Sequence, residues 1–435
     1  SMRNRWDKSR LEEIGDDEVA MRVFTSNLLG EEEDLVLHGG GNTSVKGTTE
    51  TVFGEEEKVL FVKGSGWDLR TIEAAGFPPV RLDYLLRLGD LKSLSDSEMM
   101  RQLRLALLDP QGPTPSVEAI LHALIPHKYV DHSHADAVVT ISNTPNGDEH
   151  LKQIYGDEVL ILPYIMPGFI LARQVAEATR DLDWSTLKGI VLLHHGIFTF
   201  HEDAKISYDN MIKLVAKAED FITSNTDTNT VAHAESNIDG DDCLQIVKLR
   251  RAAGKLFGNP VLVRLDTTQE ATGFASLNNV ADLATCGPLT PDHTIHAKAF
   301  AAVFDAEPAA ELVKFENTYR EYFQEHATDA HQCLDTMPRY GVWKNKGMFY
   351  LAGNRKRLEI VSDITQHTIR AIQRGEALGG WQTLPRSDLF DVEYWSLEQA
   401  KIKKTKKTLQ GNVVVITGGF GAIGSATYKL FKSYG

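Results

Sequence analysis

The residues with the clearest chemical potential are Glu118, the run Asp131-His132-Ser133-His134-Ala135-Asp136, and Leu193-His194-His195-Gly196. Strand side chains alternate between two faces, so a His-x-His on a strand sets both imidazoles on one face. A third imidazole from a neighbouring strand end makes a three-histidine site with an open coordination position. An open position on a divalent ion is where a carbonyl can be polarised or a water activated. His132, His134 and one of His194 and His195 are therefore candidate ligands. Adjacent strand residues point to opposite faces, so only one of that last pair should reach an ion. Gly196 permits close backbone approach, which favours His195.

Glu118 falls in the first turn of an expected helix, with His122 one turn on. A first-turn glutamate commonly serves only as a helix-dipole partner; beside a metal it could also ligate or move a proton. Asp131 and Asp136 fit two roles equally, as partners that fix imidazole tautomers or as solvated loop charges. Gly39-Gly40-Gly41-Asn42-Thr43-Ser44 and Gly64-Ser65-Gly66 are Gly/Ser turns. Such turns can aim several N–H groups and hydroxyls at an anion, though each could be an ordinary tight turn. His293 and His296, three apart, read as structural or surface residues.

These side chains need a scaffold, and the first 230 residues or so alternate strand-like and amphipathic helical runs. Val59–Lys63 reads as a strand closing on Gly64-Ser65-Gly66, Ser116–Leu124 as a helix start with Ser116 as N-cap, and Tyr129–Ile141 as the strand carrying His-x-His. Gly189–Leu193 reads as a buried strand. A helix with Tyr208, Met211, Ile212, Val215, Ala218 and Ile222 on one face follows His194-His195-Gly196. Residues 224–242, rich in Asn, Thr, Asp and Ser, read as an exposed connection. Residues 243–400 form a second mixed α/β region of unassigned role. In it, Asn345-Lys346-Gly347-Met348-Phe349-Tyr350-Leu351 echoes His194-His195-Gly196-Ile197-Phe198-Thr199-Phe200, with Asn-Lys in place of the two histidines. That echo fits a degenerate, metal-free relative of the first region. The plainer reading, a dimerisation or packing domain with a common α/β unit, is preferred.

Residues 401–411 read as a basic linker, without the interleaved aromatics of a nucleic-acid patch. Residues 412–435 then read as a strand, a Gly-rich turn and a helix, with Gly418, Gly421 and Gly424 spaced to cradle a dinucleotide pyrophosphate at the helix N-terminus. A dinucleotide-binding domain is far longer than this segment. The expectation is a chain that ends just inside a Rossmann domain, with NAD or NADP bound only by the rest of that domain.

Composition narrows the class. The chain has 435 residues, 42% of them hydrophobic, and a net charge of −14. That is enough for two or three domains with sizeable cores, and the acidic balance argues against nucleic-acid or membrane-surface binding. Three cysteines without a CxxC spacing give neither a disulfide framework nor a thiolate metal site, and a reduced, cytoplasmic setting is expected. No apolar run approaches a membrane span and no signal peptide opens the chain. Ser1-Met2 reads as a start methionine behind a tag residue.

Residues from about 18 to 225 resemble the class II aldolase and adducin family, which includes fuculose- and rhamnulose-1-phosphate aldolases and ribulose-5-phosphate 4-epimerase. The resemblance is carried by Gly41-Asn42-Thr43-Ser44, Lys63-Gly64-Ser65-Gly66, Pro115-Ser116-Val117-Glu118, His132-Ser133-His134 and His194-His195-Gly196. It implies a mixed α/β domain whose central sheet is covered by helices, with zinc on His132, His134 and His195. It also implies Glu118 as acid/base, and a substrate phosphate held by Asn42, Ser65 and Ser116. Val117 departs from the family, whose small phosphate aldolases often carry a second hydroxyl there, and this leaves the substrate open.

The wider layout resembles bifunctional rhamnulose-1-phosphate aldolase/short-chain alcohol dehydrogenase proteins. The implied reaction is retro-aldol cleavage of L-rhamnulose 1-phosphate to dihydroxyacetone phosphate and L-lactaldehyde, the aldehyde being oxidised by the dehydrogenase half. The expected partner is a small sugar phosphate, and the expected assembly a homo-oligomer. A 4-epimerase on the same metal site and an adducin-like non-catalytic binding module are the rival readings.

Overall fold

The computed structural model describes residues 2–402 and 406–435; Lys403 and Lys404 of the expected linker lie outside the described residues. The chain divides into two compact units, one up to Asn225 and one from Thr226 onward. No described helix is long and apolar enough to cross a membrane.

The first unit is built on seven strands: β1 (Asn42–Glu50), β2 (Glu56–Val62), β3 (Pro79–Arg81), β4 (Tyr129–Ser133), β5 (Val159–Leu162), β6 (Gly189–Leu192) and β7 (Gly196–His201), in the order β3-β2-β1-β4-β7-β6-β5. All neighbours are antiparallel except β5 and β6. β4 is central and every residue of it is buried, so its two faces carry different tasks. Its odd-numbered residues face the helices Glu18–Gly30 and Ala204–Asn225. There Asp131 pairs with Arg22, both fully buried, and accepts a hydrogen bond from Ser207 Oγ at 2.6 Å. Asp131 is therefore neither a partner of the histidines nor a solvated charge; it anchors the far side of the strand. The even-numbered residues face the helix Ala119–Leu124.

That six-residue helix is too short to stand alone, and β1 holds it. Asn42, Ser44 and Lys46 alternate onto one face of β1, as the period of two requires. Lys46 Nζ donates to the carbonyls of His122, Ile125 and His127 at 2.9, 2.7 and 2.7 Å. An ammonium at a helix C-terminus satisfies the carbonyls that the helix leaves unpaired.

Two local expectations are corrected. The strand through His-x-His ends at Ser133, and Asp136–Ser142 is a helix. Its Val, Thr and Ile content favours a strand, but the segment is buried on all sides, so neither alternation nor helical periodicity is legible there. The helix after Ser116 starts at Ala119, with Glu118 in the N-cap position. Ser116 Oγ accepts from the Glu118 N–H at 3.2 Å in a local turn.

The second unit has a four-stranded sheet of β8 (Leu262–Asp266), β9 (Ala302–Phe304), β10 (Tyr340–Trp343) and β11 (Gly347–Ala352), ordered β8-β11-β10-β9. β9 and β10 are parallel and the other pairs antiparallel. This is the arrangement of β4-β7-β6-β5, strand for strand and in the same chain order. The echo extends to the turn, where His194 and Asn345 both adopt left-handed backbone at φ 63° and 64°. The sequence echo thus extends to strand order, strand direction and the turn. Matching Gly196 to Gly347 through the two registers places Leu265, Thr267 and Lys346 where the first unit has His132, His134 and His195. Lys346 Nζ is 2.8 Å from an Asp242 carboxylate oxygen.

Residues 412–435 cluster with this unit instead of standing apart. The expected strand pairs with no described strand, and Val413, Val414 and Val415 are exposed. The helix Ala422–Ser433 does form, with Gly421 as its N-cap residue.

Lys46→Met would strip three part-buried carbonyls of their donor. The expected loss is roughly 2–4 kcal/mol of unfolding free energy, read as a lower urea midpoint at unchanged m-value. A shift within error would mean that water replaces the ammonium.

Candidate metal and acid/base site

β1 and β4 set Asn42 opposite His132 in register, and the β6–β7 turn brings His195 to the same end of the sheet. The ring centroids of His132, His134 and His195 lie 5.0, 5.0 and 5.1 Å apart pairwise. One nitrogen from each falls within 4.8 Å of the others. His132 Nε2 is 3.2 Å from His195 Nε2. His132 Nδ1 sits 3.1 Å from the Ile197 carbonyl, which can only accept, so Nδ1 carries the proton and Nε2 presents a lone pair. Burial, reinforced by His134 and His195, holds this imidazole well below its ordinary range and therefore neutral. Phe198 stacks flat on it at 4.0 Å and fixes the ring plane.

Convergence depends on Gly196. A Cβ there would lie 2.3 Å from the Ser133 carbonyl oxygen and 3.1 Å from ring atoms of both His132 and His134. His194 is turned away, though not by strand alternation: both histidines lie in the β6–β7 turn, and His194 has left-handed backbone at φ 63°. Its N–H donates to Ser142 Oγ at 2.9 Å and its Nδ1 lies 2.5 Å from Asn143 Oδ1.

Glu118 completes the cluster from above. Its Oε2 is 3.5 Å from His132 Nε2 and its Oε1 3.6 Å from His195 Nε2. Glu118 Oε1 and His195 Nδ1 are buried without a hydrogen-bond partner among the described residues, which is costly unless something satisfies them. Imidazole nitrogens beside a carboxylate are a donor set that suits zinc and several other first-row divalent ions, so these residues fit such a cation.

The anion-turn residues are partly gathered. Lys63 Nζ donates to the Gly39 and Gly41 carbonyls at 2.8 and 3.1 Å, tying the two Gly/Ser turns together. The Ser65 N–H donates to the Thr114 carbonyl at 2.8 Å and the Ser116 N–H to the Lys63 carbonyl at 3.0 Å. Ser65, exposed, and Ser116, half-buried, thus share one rim with the Gly39–Gly41 turn. Asn42 is engaged elsewhere, with Nδ2 2.6 Å from Glu118 Oε2 and Oδ1 2.5 Å from His122 Nε2. Sequence reasoning quoted Lys63 and Ser44 only as members of motifs, left His122 without a role and gave Phe198 none. The available signal was placement: Lys63 directly precedes Gly64, and Ser44 lies two residues from Asn42. Gly418, Gly421 and Gly424 belong to the second unit and form a turn of their own. Gly418 has φ +67°, and a Cβ on Gly424 would meet the Gly418 carbonyl oxygen at 2.2 Å.

Residues 23–222 match the sequence profile of the class II aldolase and adducin N-terminal domain, and residues 242–402 that of the class II aldolase second domain. The N-terminal class II aldolase domain of a conserved protein from Thermoplasma acidophilum is 41% identical, with 51% of this chain and all of that one covered, at a TM-score of 0.47. L-Fuculose-1-phosphate aldolase from Thermus thermophilus is 20% identical over 47% of this chain and 96% of that one, at a TM-score of 0.31. YuxG of Bacillus subtilis (strain 168), named an uncharacterized oxidoreductase, is 29% identical over 453 residues. The match takes in 99% of this chain but only 65% of that protein's length.

Gly196→Ala is expected to push His132 and His134 apart and, if the three histidines hold a divalent cation, to weaken its binding about tenfold, roughly 1.4 kcal/mol. Competition titration against a chromogenic chelator would measure this, and unchanged affinity would show that the turn can shift without moving the rings.

Proposed function

Because the chain belongs to the class II aldolase and adducin family, we propose that it is a zinc-dependent lyase acting on a ketose 1-phosphate. L-Rhamnulose 1-phosphate is the first substrate to test, cleaving to dihydroxyacetone phosphate and L-lactaldehyde. One observation supports this above the rest: the Glu118 carboxylate faces the Nε2 atoms of His132 and His195 at 3.5 and 3.6 Å. An acid/base and a three-imidazole donor set at that spacing can act on one substrate.

His132, His134 and His195 would hold the ion. When bound, it supplies Lewis acidity that favours negative charge on the substrate's carbonyl oxygen. In the cleavage direction the C3–C4 bond breaks and its electron pair stays with the dihydroxyacetone phosphate fragment. The hydroxyl proton on C4 leaves to a base as the aldehyde forms. Glu118 delivers a proton to C3, and takes it back in the synthetic direction. Ser65 and Ser116, with the Lys63-tied turns, would hold the phosphate. Asn42 belongs to the same proposal, although both ends of its amide hold protein partners.

The parent protein would oxidise the aldehyde in a further domain that binds NAD or NADP through the turn of Gly418, Gly421 and Gly424. The oxidoreductase name of the longer relative supports that reading. A cytoplasmic homo-oligomer completes it.

Zinc-loaded protein should release dihydroxyacetone phosphate from L-rhamnulose 1-phosphate, detected by coupled reduction to glycerol phosphate. His132→Ala should abolish both release and tight zinc retention, and Glu118→Gln should lower kcat by about 10²–10⁴-fold. Interconversion of pentulose phosphates without fragment release would replace the lyase by the epimerase. No turnover of any ketose phosphate by metal-replete protein would reject an active site in this chain.

A further inference from the structure

Behind Glu118 runs a chain of hydrogen bonds that the metal site does not use. Asn42 Nδ2 meets Glu118 Oε2 at 2.6 Å, Asn42 Oδ1 meets His122 Nε2 at 2.5 Å, and His122 Nδ1 meets Ser44 Oγ at 2.7 Å. Its direction can be worked out. A carboxylate only accepts, so Asn42 must turn its amide nitrogen toward Glu118. Its carbonyl oxygen then faces His122, so Nε2 of that ring carries the proton. Nδ1 is left with a lone pair, and the Ser44 hydroxyl donates to it. Every link therefore donates toward Glu118, and donors aligned in series strengthen one another. His122 is fully buried, and burial pushes its imidazole down to about 3, so it stays neutral. Its ring stands edge-on to Phe198 at 5.7 Å, the same Phe198 that stacks on His132.

The geometry points to Asn42, His122 and Ser44 as positioning residues that hold one oxygen of the Glu118 carboxylate and leave the other, Oε1, aimed at His195. This rests on the acid/base role proposed for Glu118. It also gives Asn42 a task distinct from phosphate binding: the amide is the last link of the relay. Three features favour positioning over mere core filling. Asn42 and Ser44 stand at i and i+2 on β1, so both face the helix that carries Glu118. His122 is one helical turn from Glu118, so the ring and the carboxylate share a helix face. Both imidazole nitrogens hold partners, which leaves the ring one tautomer.

The test combines kinetics with a spectroscopic readout. In ¹⁵N-histidine NMR of the whole chain, with and without zinc, His122 is expected as the neutral Nε2–H tautomer; the Nδ1–H tautomer or an imidazolium would overturn the relay. His122→Phe should lower kcat about 10- to 100-fold, with KM and zinc affinity essentially unchanged. His122→Gln, which can still donate to Asn42 Oδ1, should recover much of that loss. Ser44→Ala, which removes only the terminal hydroxyl, should lower kcat in the same direction by less. Equal kcat for the Phe and Gln variants, or a Ser44→Ala effect confined to KM, would reduce these residues to packing. Should His122→Phe fail to fold, Ser44→Ala and the NMR spectrum decide. Should the wild-type chain cleave no ketose phosphate, the lyase reading is lost, while the tautomer still tests the relay.

Discussion

The site depends on the pairing of β1 with β4. Both strands are central, and their register sets Asn42 beside His132. Alternation then puts Ser44 and Lys46 on the face that carries Asn42. Those three side chains are polar and largely hidden, which would be destabilising if they were left unpaired. They are satisfied by one short helix: Lys46 takes its C-terminal carbonyls, Ser44 takes His122, and Asn42 takes both His122 and Glu118. A helix this short gains little from its own hydrogen bonds, so its position follows from β1. Glu118 is held at its N-terminal end, and the carboxylate meets the histidines because two strands share a register.

How much of this was legible in the sequence varies with the physics that sets each feature. The convergence of His132, His134 and His195 was legible from the His-x-His spacing and from Gly196, which marks a place where backbone must come close, although His134 lies just past the end of β4 and His195 in a turn. The choice of His195 over His194 rested on Gly196; both histidines lie in the β6–β7 turn, where left-handed backbone at His194 separates their side chains. The relay behind Glu118 was not legible. It joins residues 42, 44, 118 and 122, and nothing local in the sequence says that β1 will lie beside that helix. Asp136–Ser142 was misread for a different reason. A fully buried segment carries no polar stripe, and its β-branched residues speak for a strand that the surrounding packing overrides. The C-terminal valine run shows the converse limit: strand propensity was clear, but a strand needs a ladder partner, and none of the described strands supplies one.

The second unit shows how separable fold and chemistry are. Its four strands repeat the order, directions and left-handed turn of β4 to β7, so the same packing logic holds with different side chains. The retained features are the ones the backbone requires. Asn345 replaces His194 because Asn tolerates the left-handed conformation, and Gly347 remains because a Cβ there would sit 2.2 Å from the Asp266 carbonyl oxygen. The features that differ are the three histidines. Leu265 and Thr267 offer no imidazole, and Lys346 brings a positive charge of its own, neutralised by Asp242. Among the described residues, the three matched positions of this unit therefore do not repeat the three-imidazole arrangement of the first.

The opposite face of β4, the strand that carries His132, holds a buried ion pair. Exchanging a buried pair for apolar side chains is often neutral or stabilising, so Arg22 and Asp131 are poorly explained as a source of stability. Their geometry supplies something else. The Arg22 guanidinium reaches the Ser44 carbonyl on β1 at 3.1 Å and the Val130 carbonyl on β4 at 3.5 Å, as well as the Asp131 carboxylate and Thr25. A single planar, forked group thus touches both strands within two residues of Asn42 and His132. Sliding either strand by one residue would break these contacts and reverse the faces of the histidines. The ion pair below the sheet therefore specifies the register on which the site above it depends.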